Sequence, residues 1–136
     1  MTVVPANPED AIKMTGPLPK AARHRVLVIE DEMLIGMLLE DMLNDLGHEI
    51  AAVVPRLKDA LVAVESQSFD FAILDVHLNG ESAFPVADAL IARGVPFVFA
   101  TGYGERGLPD TYRDRPVLQK PFAKSDLERV LKQVFA

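Results

Sequence analysis

Short apolar runs that return along the chain, separated by segments of helical pattern, limit what it can fold into more than any other feature. Val26 to Ile29, Ile50 to Val54, Phe69 to Leu74 and Val95 to Ala100 are nearly continuous in aliphatic and aromatic residues. Runs of this length and composition predict strands covered on both faces, as in the middle of a parallel sheet. Between the first two, Leu34, Leu38 and Met42 with Ile35, Leu39 and Leu43 form a wide apolar stripe at helical spacing, stopped by Gly47. Leu57, Leu61 and Val64 mark a second helix. Ser82 is expected to cap a third that carries Val86, Leu90 and Ile91 and stops at Arg93-Gly94. Pro116 to Leu118 reads as a short fifth strand. Ser125-Asp126-Leu127-Glu128 reads as a capping box opening a last helix, with Leu127, Val130, Leu131 and Val134 inward. Strands alternating with helices predict an α/β fold with a parallel sheet, right-handed crossovers and helices on both faces.

At 136 residues the chain suits one domain. Residues 1–24 hold Pro5, Pro8, Gly16, Pro17 and Pro19 without periodicity and predict an irregular tail, leaving 25–136 as the folded unit. An apolar fraction of 49% is enough for a core, and a net charge of −6 disfavours binding to nucleic acid or an anionic membrane. There is no cysteine, so disulfides, thiol nucleophiles and zinc-finger sites are excluded. No apolar run approaches the roughly 20 residues that span a bilayer, and the N-terminus lacks a secretory signal pattern. A cytoplasmic location is expected.

Ligands of open α/β sheets sit at the carboxyl ends of the strands. Here those ends carry Glu30, Asp31 and Glu32 (strand one), Asp75 (strand three), Thr101 (strand four) and Lys120 (strand five). Any one of them alone would ordinarily be a solvated or turn residue, and Glu32 suits the first turn of helix one. Their convergence on one edge suggests phosphoryl transfer. Crowded carboxylates suit Mg²⁺, with Mn²⁺ an alternative: Glu30, Asp31 and Asp75 can offer side-chain oxygens, and His77 its backbone carbonyl. Asp75 is the candidate nucleophile. Lys120 can neutralise charge on the transferring group, and Thr101 can donate to an attached phosphoryl oxygen.

Gly102, Gly104 and Gly107 fit G-x-G-x-x-G, a dinucleotide-binding fingerprint. The motif follows strand four rather than opening the first βαβ unit, and Pro109-Asp110 stand where an apolar helix should begin, so a nucleotide-dependent oxidoreductase is not expected. An aspartyl phosphatase is disfavoured too, because His77 leaves no evident general acid two residues after Asp75. Residues 102–115 have no amphipathic pattern, so no helix is expected there, and mobility before phosphorylation is. His24 and His48 read as surface residues.

The segments VLVIEDE (26–32), FAILDVHLNG (71–80), FATG (99–102) and LQKPF (118–122) resemble the receiver domain of two-component response regulators over residues 25–136. The resemblance implies a flavodoxin-like (βα)5 fold with a five-stranded parallel sheet in the order 2-1-3-4-5. It implies Asp75 as phospho-acceptor, Glu30 and Asp31 as the Mg²⁺ pocket, Thr101 as the switch hydroxyl, Lys120 as phosphoryl partner and a cis bond before Pro121. His77 and Tyr103 take positions that modulate phosphoryl lifetime. Glu30 replaces the Asp often found at the first acid. PFVFATGYG resembles the "FAT GUY" receivers, which would account for a missing or irregular fourth helix and for Val117 where an aromatic switch residue is usual. The implied function is a stand-alone, phosphate-accepting signalling domain, not an enzyme acting on a separate substrate. Its implied donor is a sensor histidine kinase, of the HWE type for this subgroup, or a histidine phosphotransfer protein. Output would pass through a downstream protein target, a phosphorelay or a phosphate sink, without direct nucleic-acid or membrane binding. The alternative is a protein-binding adaptor independent of phosphorylation.

Overall fold

The computed structural model describes residues 23–102, 108–112 and 114–135. Most of the tail, together with Tyr103, Gly104 and Gly107, lies outside the described residues, so the expectations placed on them do too. The sheet strands are β1 (Arg25–Ile29), β2 (Glu49–Val54), β3 (Phe71–Asp75), β6 (Phe97–Thr101) and β7 (Val117–Gln119). A two-stranded hairpin, β4 (His77–Leu78) and β5 (Glu81–Ser82), interrupts this series. The helices are α1 (Met33–Asp45), α2 (Leu57–Ser66), α3 (Phe84–Arg93) and α4 (Lys124–Phe135). The five parallel strands run in the order β2-β1-β3-β6-β7, which is the flavodoxin-like order 2-1-3-4-5 once the hairpin is set aside.

Successive residues of a strand face opposite sides, and both sides of this sheet are covered. Leu27, Ile29, Ala72, Leu74, Phe97 and Phe99 pack under α2 and α3, while Val26, Val28, Phe71, Ile73, Val98 and Ala100 pack under α1 and α4. That two-sided burial is why the strand runs are continuously apolar rather than alternating. The prolines trim the strands. Lacking an N–H, Pro96 and Pro116 stay outside β6 and β7, but their carbonyls accept from Ala72 and Phe99 at 3.2 Å each.

Several expectations need correction. Of the α1 stripe, Leu39 and Leu43 are buried, but Leu34 is 81% exposed and Leu38 43%, alongside exposed Met33 and Met37. Only one flank of the stripe meets the sheet, and there Gly36 lies so close that an added Cβ would stand 3.1 Å from Val53 Cγ1. Glu32 precedes the first helical turn of α1 with extended backbone, and its side chain makes no cap. Ser82 lies in β5, and its hydroxyl accepts from the Phe84 amide at 3.3 Å, one residue before the cap position held by Ala83. α4 begins before the expected box: Asp126, not Glu128, reaches back to the Ala123 amide at 2.8 Å. His24 and His48 are half-buried rather than free surface groups. Nδ1 of His48 accepts from the His24 amide, and the His24 ring stacks on Phe135.

Between β6 and β7 the described residues hold one 3₁₀ turn, Asp110–Tyr112, and no α-helix. β4 and β5 were not expected. They close through Asn79 and Gly80, both with positive φ (52° and 81°), the backbone demanded by a tight hairpin and tolerated by the Asn-Gly pair.

Candidate functional site

β1 and β3 end side by side at the centre of the sheet, with β6 and then β7 next to β3, so the residues at or just past their carboxyl ends share one rim. Asp31, Glu32, Asp75, His77, Gly80, Thr101, Gly102 and Lys120 line an open cavity of about 530 Å³ there. Asp75 and Thr101 are the last residues of β3 and β6 and are buried, as is Glu30 just past β1. The strand ends predicted from sequence therefore do meet.

Lys120 is the cationic centre of the cluster. Its ammonium lies 2.7 Å from Glu30 Oε1, 3.1 Å from Asp75 Oδ2 and 3.9 Å from Glu32 Oε1. The backbone holds it in place, since the Lys120 amide donates to the Thr101 carbonyl at 2.9 Å. The following Lys120–Pro121 bond is cis. Asp75 receives a second donor on its other oxygen, the His77 amide at 3.2 Å. Asp31 is oriented by a residue the sequence analysis had no role for: the Asn79 amide donates to its Oδ2 at 2.9 Å. The signal was present in Asn79-Gly80, a hairpin dipeptide directly after the strand bearing Asp75.

One ammonium among several carboxylates leaves the charges unequal. Burial, and then the carboxyl of Asp75 beside it, push Glu30 from its ordinary 4.5 up to about 8, against the pull of Lys120. Its buried Oε1 meets the Lys120 ammonium at 2.7 Å as an ion pair, with no further hydrogen-bond donor on it among the described residues. Burial works against the charge on Lys120, yet Glu30 and Asp75 outweigh it and hold the ammonium above its ordinary value. Burial is the largest single influence on Asp31 and raises it, but the Asn79 amide and the other hydrogen bonds around it together bring it below its ordinary value.

Oxygens of Glu30, Asp31, Glu32 and Asp75 lie within 4.8 Å of one another. Hard oxygen donors in this density, one of them buried with only the Lys120 ion pair on it, fit Mg²⁺ or Mn²⁺ by donor chemistry. Thr101 lies on the cavity wall and His77 at its rim, with an exposed side chain.

The model of the response regulator receiver domain family matches residues 26–132. The chain belongs to that family, which makes it a signalling domain rather than a conventional enzyme. Among curated proteins it is 34% identical over 121 residues to the transcriptional regulatory protein PdtaR of Mycobacterium tuberculosis, covering 84% of this chain and 59% of that one. It is 35% identical over 113 residues to the phyllosphere-induced regulator PhyR of Methylorubrum extorquens, covering 79% and 42%. The chain thus spans about half the length of these curated relatives. Among solved structures, SdrG of Sphingomonas melonis Fr1 superposes with a TM-score of 0.77 at 45% identity, covering 85% of this chain and 98% of that one.

Proposed function

We propose that this chain is a receiver domain that takes a phosphoryl group from a phosphohistidine onto Asp75. The observation that carries the reading is the setting of Asp75: a buried carboxylate held by the Lys120 ammonium and the His77 amide, opening on a cavity walled by Asp31, Thr101 and Lys120. A structural carboxylate would be paired and closed off. This one is paired and reachable, as a nucleophile must be.

In the proposed transfer an oxygen of Asp75 forms the new O–P bond as the donor N–P bond breaks. A phosphohistidine protonated on its second nitrogen then leaves as neutral imidazole. Lys120 faces the incoming phosphoryl oxygens and offsets their charge, and the Thr101 hydroxyl donates to one of them once the group is attached. Asp31, Glu30 and Asp75, with the His77 carbonyl, would hold a divalent cation. When bound, that cation neutralises charge shared between the carboxylates and the phosphoryl group.

The donor is proposed to be a histidine kinase or histidine phosphotransfer protein. Met33, Leu34, Met37 and Leu38 support a protein donor, because they form an exposed apolar flank on α1 that starts directly after the acids. Exposed apolar patches of this kind mark protein contacts. The test is labelling by a phosphorylated kinase or by a small phosphoramidate in Mg²⁺. Wild-type protein should take up label to near stoichiometry and Asp75→Asn should take up none. Full labelling of the variant overturns the assignment, and no labelling of either protein leaves the adaptor reading in its place.

A further inference from the structure

The described part of the connection between β6 and β7 enters the core at two residues, Leu108 and Tyr112, which are 4% and 6% exposed. The Tyr112 ring stacks on Phe84, the first residue of α3, at 5.1 Å and 13°. It also meets Phe99 of β6 edge-on at 5.6 Å. Its hydroxyl donates to Asp88 Oδ1, one turn further along α3. Filling this volume needs only a ring. A phenol directed at a carboxylate adds a charge-assisted, directional bond that a phenylalanine could not make.

Two backbone paths lead from this anchor to the site. Phe99 lies two residues before Thr101 on the same strand, so both side chains face the same side of the sheet. Past the turn, the Arg115 amide donates to the Tyr112 carbonyl at 3.0 Å, and Pro116 accepts from the Phe99 amide at 3.2 Å. β7 then delivers Lys120, whose amide donates to the Thr101 carbonyl. Tyr112 therefore braces β6 and the segment that leads into β7, at whose ends the hydroxyl and the cationic group of the cavity stand.

We propose that Tyr112, through its hydroxyl bond to Asp88, is a positioning residue for Thr101 and Lys120, fixing where the ends of β6 and β7 stand relative to Asp75. The proposal rests on the reading of Asp75 as phospho-acceptor for its effect on labelling, but not for its effect on the strand ends. Tyr112→Phe keeps the ring and removes the bond, Asp88→Ala removes the acceptor, and Asp88→Asn keeps an acceptor oxygen in place.

Two readouts are compared in the full chain: amide hydrogen exchange without phosphodonor, and the initial rate of labelling by a small phosphoramidate. Tyr112→Phe and Asp88→Ala should each speed exchange at the Phe99 and Lys120 amides by about tenfold. The Glu30 amide, which bonds Val54 across the sheet, should stay unchanged. Each variant should also change the labelling rate by at least about threefold, Asp88→Asn should stay within about twofold of wild type, and the double variant should be no worse than either single one. Unaltered exchange overturns the proposal. So does faster exchange with an unaltered labelling rate, which would make the contact merely structural. If wild-type protein takes no label, the exchange experiment still decides the positioning, and it is the Asp75 reading that falls. If Tyr112→Phe does not fold, the contrast between Asp88→Ala and Asp88→Asn carries the test alone.

Discussion

At the amino-terminal end of the sheet the polar groups of Arg25, Glu49, Asp70, His24 and His48 pair off with one another. Asp70 accepts from the Arg25 amide at 2.8 Å, Arg25 pairs with Glu49 at 3.1 Å, and His48 accepts from the His24 amide at 3.2 Å. At the carboxyl end, a few residues away along the same strands, Glu30, Glu32 and Asp75 all lie around one ammonium, and Glu30 is held up to about 8. The first arrangement serves stability and the second does not. Like charges gathered in a partly buried rim cost folding free energy, and they persist where binding or chemistry uses them. The contrast sets the two ends of the sheet apart without reference to any relative, and it can be broken by experiments at either end.

The largest effect is expected from Lys120→Ala. Removing the cation leaves the carboxylates facing one another in a rim where Glu30 and Asp75 are buried. Breaking a buried pair in this way costs about 3–5 kcal/mol. Urea unfolding at neutral pH in chelator should show most of that loss, and the deficit should shrink as acid protonates the carboxylates. A deficit under about 1 kcal/mol, the range of an exposed pair, would mean the rim is no more strained than the opposite end.

Glu30→Gln should act in the other direction. Burial disfavours the charge on Glu30, so a neutral side chain of the same shape should stabilise the protein in chelator by about 1–2 kcal/mol at neutral pH. The same variant should weaken Mg²⁺ binding, because an amide is a poorer ligand than a carboxylate for a hard cation. Stabilisation together with weaker binding is the signature of a group kept for function. A destabilised variant would place Glu30 with the satisfied groups of the other end.

How far the sequence announced this contrast depended on whether the cause of each feature was local. The strands were legible because two-sided burial writes itself as an unbroken apolar run, and the rim was legible because strand ends and charged residues coincide. The α1 stripe misled because helical period identifies which residues share a face but not how much of that face is covered. Leu34 and Leu38 fit the period as well as Leu39 does and still lie exposed. The cap of α4 moved because Asp126 competes with Ser125 and Glu128 for the same helix end, and the Ala123 amide decides between them. The β4–β5 hairpin has a local cause as well, the Asn79-Gly80 pair with its positive φ angles, but its two-residue strands are too short to show an apolar period. The partners His24 with His48 and Tyr112 with Asp88 are each 24 residues apart and meet only through the order of strands and helices, which no local pattern encodes.

The smallest effect belongs to the satisfied end and concerns pH. Burial, and then the neighbouring His24, hold His48 below its ordinary value of 6.5. Its Nδ1 already accepts the His24 amide, so a proton there would also remove an acceptor. Because the folded state disfavours the charged imidazole, the stability this site contributes is present above the unfolded value and declines as pH falls through 6.5 and below. Unfolding measured between pH 7.5 and 5.5 should show a loss of under about 1 kcal/mol from this site, absent in His48→Gln. The variant keeps a hydrogen-bonding side chain but cannot titrate, so a pH slope that survives the substitution would show that the amino-terminal end does not set it. The acids of the opposite rim would then dominate the pH response, and the two ends would differ in their titration as well as in their pairing.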